Sequence, residues 1–289
     1  MRIAVALHVM KNSLLGEFRA YLRNIPQAYD LFITVPDSGR KARQVFPKAR
    51  ILARHPNRGM DIGGFFAVLP LILKGKYDVV LKLHSKSDSK WRKSMLRSLC
   101  GSSTQVRRCL SLLSRRGIGA LGDHHKLHST RHRWAVNGPH LSSLCRRWRT
   151  GMRDGQFAAG TMFWIRTSIL KRVFGNSDRT TLLRGLNTPQ SFDVYWYLRN
   201  YRSTRMPRKI IINTPLGKYH YIHMVQTSIN TRQQAEHHWR TYGRSHGYYP
   251  NGLAQKRAKG GRVDGMIEHA YERFFGVIVA ACHLRLVGV

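Results

Sequence analysis

Over the first hundred residues, apolar and polar positions fall into blocks that alternate in period. Residues 2–9, RIAVALHV, are an almost unbroken apolar run. Such a run predicts a strand covered on both faces of a parallel sheet. Leu15, Phe18, Leu22 and Ile25 then recur at helical spacing, predicting a helix over 13–24 that ends before Pro26. YDLFITV (29–35) predicts a second strand, stopped by Pro36-Asp37-Ser38-Gly39. A short basic helix over 40–46 and a third strand, ARILA (49–53), follow. The apolar stretch 61–74 predicts a helix. Gly63-Gly64 near its start would allow a close backbone approach, and Pro70 predicts a kink or an early stop. Residues 77–83 predict a fourth strand. This βαβαβ order argues for an α/β fold with a doubly wound sheet.

Further along, helices are expected at 91–99 and 104–114 and a strand at 117–122. From 123 to 149 the periodicity fails. His124, His125, His128, His132 and His140 are scattered among Arg, Ser and Gly, and a long irregular loop is expected, with no histidine pair on a helical pattern to hold a metal. FAAGTMFWIRTSILKRVF (157–174) predicts a glycine turn, a strand through 162–165 and a helix. Residues 175–263 are rich in Tyr, Arg, Asn and Gly and read as an insertion or small subdomain. Within it a strand is expected at 209–213 and helices around 192–201 and 231–242. A last helix, 264–279, carries an apolar face of Ile267, Ala270, Tyr271, Phe274, Phe275 and Ile278. His269, Glu272 and Arg273 lie together on another side. The expected organisation is an α/β core over 1–174, the insertion over 175–263, and a helix over 264–289 returning to the core.

Composition changes this picture in one respect. Hydrophobic residues make up 42% of the 289 and charged residues 22%, which suits a globular core. The 50 Lys and Arg against 14 Asp and Glu give a net charge of +36. Such a balance favours polyanions: nucleic acid, an anionic membrane surface or a phosphorylated substrate. The basic residues are spread along the whole chain rather than gathered in a tail, so charge alone selects none of these. Cys100, Cys109, Cys145 and Cys282 have no CxxC spacing, which argues against a zinc site and a disulfide framework. The N-terminal and C-terminal apolar runs are too short for a signal peptide or a membrane span. A soluble cytoplasmic protein is expected, with peripheral contact to anionic membrane as the alternative.

Four polar clusters are candidates for chemistry. HSKSD (84–88) follows a strand end, where open α/β sheets place ligands. A cation-binding Asp-x-Asp would sit there, but its positions hold His84 and Lys86, which suit phosphate rather than a metal; a solvated loop is the alternative. In NRGMDIGG (57–64), Asn57 and Gly59 suit a turn with positive φ. Asp61 is either a helix N-cap or an acceptor for a ligand hydroxyl. In AAGTMFW (158–164), Gly160 would open a pocket wall, and Phe163 or Trp164 would either stack on a sugar or join the core. In HAYER (269–273), Glu272 and Arg273 are either a structural pair or a general base and a phosphate ligand, with Asp264 and Glu268 as rival bases.

Taken together and in this order, NRGMDIGGFF, YDVVLKLHSKSDSKWRKSMLRSL, FAAGTMFW and EHAYERFFG resemble the rhamnan synthesis protein F family. The likeness covers about 1–174 and 264–277. It departs at Ser85, where the family has Thr, at 123–149, and over 175–263. There SFDVYWYLRNY and AEHHWRTYGRSHGYYPN are similar to an aromatic-rich module found beside glycosyltransferases. The resemblance implies a GT-A-like glycosyltransferase, with a Rossmann-type sheet, that builds surface or viral polysaccharide. It would move L-rhamnose or a related deoxyhexose from a dTDP or UDP donor to a glycan acceptor, in the host cytoplasm if the source is viral. It further implies donor binding by Asn57, Arg58, Asp61, His84 and Lys86, and an acceptor side at Gly160, Thr161 and Trp164. Glu272 or Asp264 would be the base, and His269, Arg273, Trp91 and Arg92 would be structural or phosphate-binding. A metal-independent reaction is expected, with magnesium or manganese as the alternative. The competing functions are a nucleic-acid-binding protein, although no specific nucleic acid is expected, and an inactive scaffold of the same family.

Overall fold

The computed structural model describes residues 1–53, 55, 59–132, 134–186, 198, 203–214, 217–241 and 267–289. Two compact units divide the chain, one formed by 1–188 with 264–289 and the other by 189–263.

The first unit is built on a seven-stranded, mostly parallel sheet. Its strands are β1 (Ile3–His8), β2 (Tyr29–Thr34), β3 (Arg50–Leu52), β4 (Val79–His84), β5 (Ile118–Gly122), β8 (Phe163–Arg166) and β11 (Arg285–Gly288). Their order across the sheet is β11-β5-β8-β4-β1-β2-β3. Only β8 runs antiparallel to its neighbours, β4 and β5. β6 (Leu127–Ser129) and β7 (Gln156–Ala158) form a separate antiparallel pair.

The sheet is covered on both faces, as the apolar runs require. Side chains alternate across a strand, so Ile3, Val5 and Leu7 join one buried cluster and Ala4 and Ala6 the other. On the first side lie α1 (Leu15–Leu22), α2 (Arg40–Val45), α4 (Ser89–Cys100) and α5 (Ser103–Ser114), which contribute Phe18, Ala42, Leu96 and Leu110. On the second lie α3 (Met60–Lys74), α6 (Trp134–Arg147), α7 (Thr167–Phe174), α8 (Arg179–Leu183) and the C-terminal helix, α10 (Ile267–Ala281). These contribute Phe66, Leu141, Leu170, Leu182 and Phe274.

Three expectations change. Residues 123–149 are not an irregular loop: a 3-10 turn, His124–Lys126, leads into β6 and then into the 14-residue α6. Among its described residues, Leu141, Leu144 and Cys145 form an apolar stripe buried against the core, and the polar residues between them hide its period. Pro70 does not end its helix; α3 runs on to Lys74. Residues 285–288 add a strand the sequence did not reveal, parallel to β5.

The second unit contains an antiparallel hairpin of β9 (Ser203–Thr214) and β10 (Gly217–Ser228), and helix α9 (Arg232–Thr241). The strand expected at 209–213 is thus the end of a longer one. The helix expected at 192–201 lies outside the described residues except for Leu198. Among the described residues no helix is long and apolar enough to cross a membrane.

Candidate functional site

The chain reverses direction across the sheet at β1. From β1 it goes outward through α1 to β2 and β3, then returns through α3 to β4 on the other side of β1. Ligand crevices of open sheets form outside the carboxyl ends of strands at such a reversal. His8 ends β1 and His84 ends β4, and the two are register partners. A cavity of about 290 Å³ opens there, lined among others by His8, Asp61, His84, Lys86, Glu268 and Glu272.

Below it lies an ion pair that the sequence reading missed. In β4, Val80, Lys82 and His84 share one face, so Lys82 points under α3 and is 1% exposed. A buried ammonium is costly unless all its donors are used. Lys82 Nζ donates to Asp61 Oδ2 at 2.7 Å, to the Thr161 carbonyl at 2.8 Å and to Thr161 Oγ1 at 3.1 Å. The Thr161 hydroxyl in turn donates to Asp61. Burial alone would raise the Asp61 carboxyl, but the neighbouring His84 and Lys82, with the bonds from Lys82 and Thr161, hold it well below the usual carboxylate range. Asp61 is therefore an anion and not the helix N-cap; Gly59, at φ +74°, occupies that position. A lysine inside the apolar run VVLKLH was the available signal, since a buried strand position tolerates a cation only beside a carboxylate.

Gly160 and Thr161 have φ of +88° and +52°. A Cβ at Gly160 would lie 3.1 Å from Trp91 Nε1 and 3.2 Å from Met95, so both conformation and space demand glycine. Its peptide bridges two cavity residues: His84 Nε2 donates to the Gly160 carbonyl at 2.6 Å, and the Gly160 N–H donates to Glu272 Oε1. Burial lowers the His84 imidazole to about 4 against the pull of Asp61, so it is neutral at pH 7. With Nε2–H committed to Gly160, Nδ1 is left as an acceptor.

Glu272 lies on α10, its side chain 17% exposed. Desolvation raises its pKa from 4.5 to about 7, although the Gly160 N–H and Arg273 oppose the shift. Arg273 sits 3.5 Å from Glu272 Oε2 and donates to the His269 carbonyl at 2.7 Å and the His132 carbonyl at 3.1 Å. It is 3% exposed and structural. His269 and Glu268 line the cavity.

On the opposite wall, Lys86 lines the cavity and lies 3.9 Å from the centre of the Trp91 ring. Arg92 holds this loop from below: it donates to the Lys86 carbonyl at 2.5 Å and pairs with Glu17 at 2.9 Å. Trp91 and Arg92 are thus supports for Lys86. Trp164 is not at the site. The pleat that turns Phe163 toward Lys82 turns Trp164 to the other face, where it is fully buried and donates to the Leu99 carbonyl at 3.0 Å. Asn57, Arg58 and Asp264 lie outside the described residues.

His8 was also missed. Its Nδ1 is 2.8 Å from Thr34 Oγ1, and burial lowers its pKa to about 3. Gly64 makes room for it, since a Cβ there would be 2.3 Å from His8 Nδ1. No group of three or more metal-ligating side chains occurs among the described residues.

No curated protein matches the chain. Residues 1–102, which carry β1 through α4 and with them His8, Asp61, Lys82, His84 and Lys86, match the family model for rhamnan synthesis protein F, RgpF.

Proposed function

We propose that the chain is a GT-A-like glycosyltransferase that transfers L-rhamnose or a related deoxyhexose from a dTDP- or UDP-sugar to a glycan acceptor. The observation that carries this reading is Glu272: a carboxyl in the cavity wall, raised to about 7 by desolvation and held by a backbone N–H. A base works best when its pKa lies near the working pH. In the reaction, an acceptor hydroxyl gives its proton to Glu272 as its oxygen bonds to the anomeric carbon. The bond from that carbon to the donor diphosphate breaks, and the nucleoside diphosphate leaves with the electron pair. Asp61, fixed by Lys82 and Thr161, offers its free oxygen to a sugar hydroxyl. Gly160 and Thr161 form the acceptor side. The strand end presents His84 and Lys86 in place of a carboxylate pair, so Lys86 would meet the donor charge without a metal.

The test is to incubate the purified chain with a panel of dTDP- and UDP-sugars and glycan acceptors, measuring nucleoside diphosphate release and glycosylated product. Turnover is expected with one donor, unaffected by EDTA, and reduced by about 10²- to 10⁴-fold in Glu272→Gln. Full turnover in that variant would overturn the role of Glu272. No product with any donor would overturn the transferase, and loss in EDTA with recovery in manganese would overturn the metal-free reaction.

A further inference from the structure

We infer that Lys86 and Lys126, both held against the ring of Trp91 at the cavity rim, form a binding site for a diphosphate group, and, on the reading of the cavity as a donor site, that this group is the donor's.

The two lysines are forty positions apart and reach one indole. Lys86 Nζ lies 3.9 Å from the ring centre and Lys126 Nζ 4.9 Å. Neither position is accidental. The Lys86 carbonyl is held by Arg92. Lys126 closes the 3-10 turn, its N–H donating to the Asp123 carbonyl at 2.8 Å and its own carbonyl accepting the Ala159 N–H at 2.8 Å. Asp123 is itself anchored to α4 through the hydroxyls of Ser94 at 2.6 Å and Ser98 at 3.2 Å. Lys126 is thereby tied both to the helix that carries Trp91 and to the turn that carries Gly160.

Both ammonium groups stand within 4.9 Å of one ring centre, so they repel each other, and the indole compensates only part of that. Nearby carboxylates do not finish the task. Asp88 accepts from the Trp91 N–H at 2.9 Å, Asp123 is bound to the serines, and Glu272 is bound to Gly160. Among the described residues neither lysine makes an ion pair. Trp91 Nε1 is a buried donor with no acceptor among the described residues. Two cations without an ion-pair partner among the described residues describe the complement of a small polyanion, and two separated point charges suit two linked phosphates better than one.

The cavity behind the rim has the opposite character. Asp61, Glu268 and Glu272 line it, so its interior disfavours phosphate and favours hydroxyl donors. The cluster adjoins it through Lys86 and Gly160, both of which line the cavity. A nucleotide-sugar fits this polarity in one sense only, with its sugar inside and its diphosphate at the rim.

The experiment is calorimetric and tryptophan-fluorescence titration of the full chain with sodium pyrophosphate, orthophosphate, dTDP and UDP. Pyrophosphate and both nucleotides are expected to bind, more tightly than orthophosphate, with a fluorescence change absent from Trp91→Phe. Lys126→Gln should weaken diphosphate binding by about tenfold, the loss of one charge-assisted contact. Lys126→Arg should retain most of it. Lys86→Gln should weaken it similarly. Wild-type affinity in Lys126→Gln, or no pyrophosphate binding by the wild type, would overturn the site. Lys126-dependent binding without sugar transfer from any donor would sustain the site and overturn the transferase. Transfer with an unchanged donor KM in Lys126→Gln would do the reverse.

Discussion

Glu272→Gln should make the protein more stable at alkaline pH while it removes turnover. The carboxyl rises from 4.5 in the unfolded chain to about 7 in the fold because the cavity wall desolvates it. A carboxyl with a raised folded pKa binds its proton more tightly in the native state. Its contribution to stability is fully present below about 4.5 and is lost as pH rises through about 7. At roughly 1.4 kcal/mol per pKa unit, the wild type should lose about 3 kcal/mol relative to a neutral side chain between pH 4.5 and pH 8. Glutamine supplies that neutral side chain with the same shape, and its Oε1 keeps the bond from the Gly160 N–H. Its loss of charge weakens the contact with Arg273, but that guanidinium keeps the His269 and His132 carbonyls. Urea unfolding of both proteins at several pH values between 4.5 and 8 measures the difference. It should change by about 3 kcal/mol in favour of the variant as pH rises. A difference that stays constant with pH would show that Glu272 is solvated in the fold and would refute the reasoning.

Other consequences can be checked alongside. The pH profile of wild-type kcat/KM should rise with a limb near 7 as Glu272 ionises, and a limb near 4.5 would contradict the desolvated base. Lys82→Met leaves Asp61 as an uncompensated, mostly buried anion and should cost about 3–5 kcal/mol in urea unfolding; the double variant with Asp61→Asn should recover part of that loss, and strict additivity would deny their pairing. Gly160→Ala must place a Cβ at φ +88° against Trp91 and Met95 and should cost more than about 1 kcal/mol, with turnover falling because both His84 and Glu272 hang on that peptide. Trp164→Phe loses the bond to the Leu99 carbonyl and should cost about 1–3 kcal/mol without changing the acceptor KM; a raised KM would return Trp164 to the site.

The first four strands and the helices between them were legible because each carries its own period. The apolar runs at 2–9 and 77–83 could only be strands covered on both faces, and the structure covers them so. Helix α6 was hidden because polar residues interrupt its apolar stripe of Leu141, Leu144 and Cys145. β11 was hidden because four residues after a helix carry no period. At the site, Glu272, Asp61, Lys86 and Gly160 were found, since charged residues and glycine beside strand ends stand out. Lys82, His8 and Lys126 were not. Lys82 and His8 were absorbed into apolar runs, and Lys126 lay among unpatterned basic residues.

By itself the sequence determined the α/β core with its mostly parallel sheet, the polar clusters at the strand ends where the cavity opens, and the absence of a carboxylate pair after β4. Those properties follow from local periodicity and residue type. Only the tertiary structure decided what each polar group does. The pleat assigned Lys82 to Asp61 and sent Trp164 to the far face. The Gly160 turn bound His84 on one side and Glu272 on the other, making one a neutral acceptor and the other a desolvated acid. Contacts across a hundred residues set these roles, because burial and the partner's charge, not the residue's own chemistry, fix whether a side chain holds its proton.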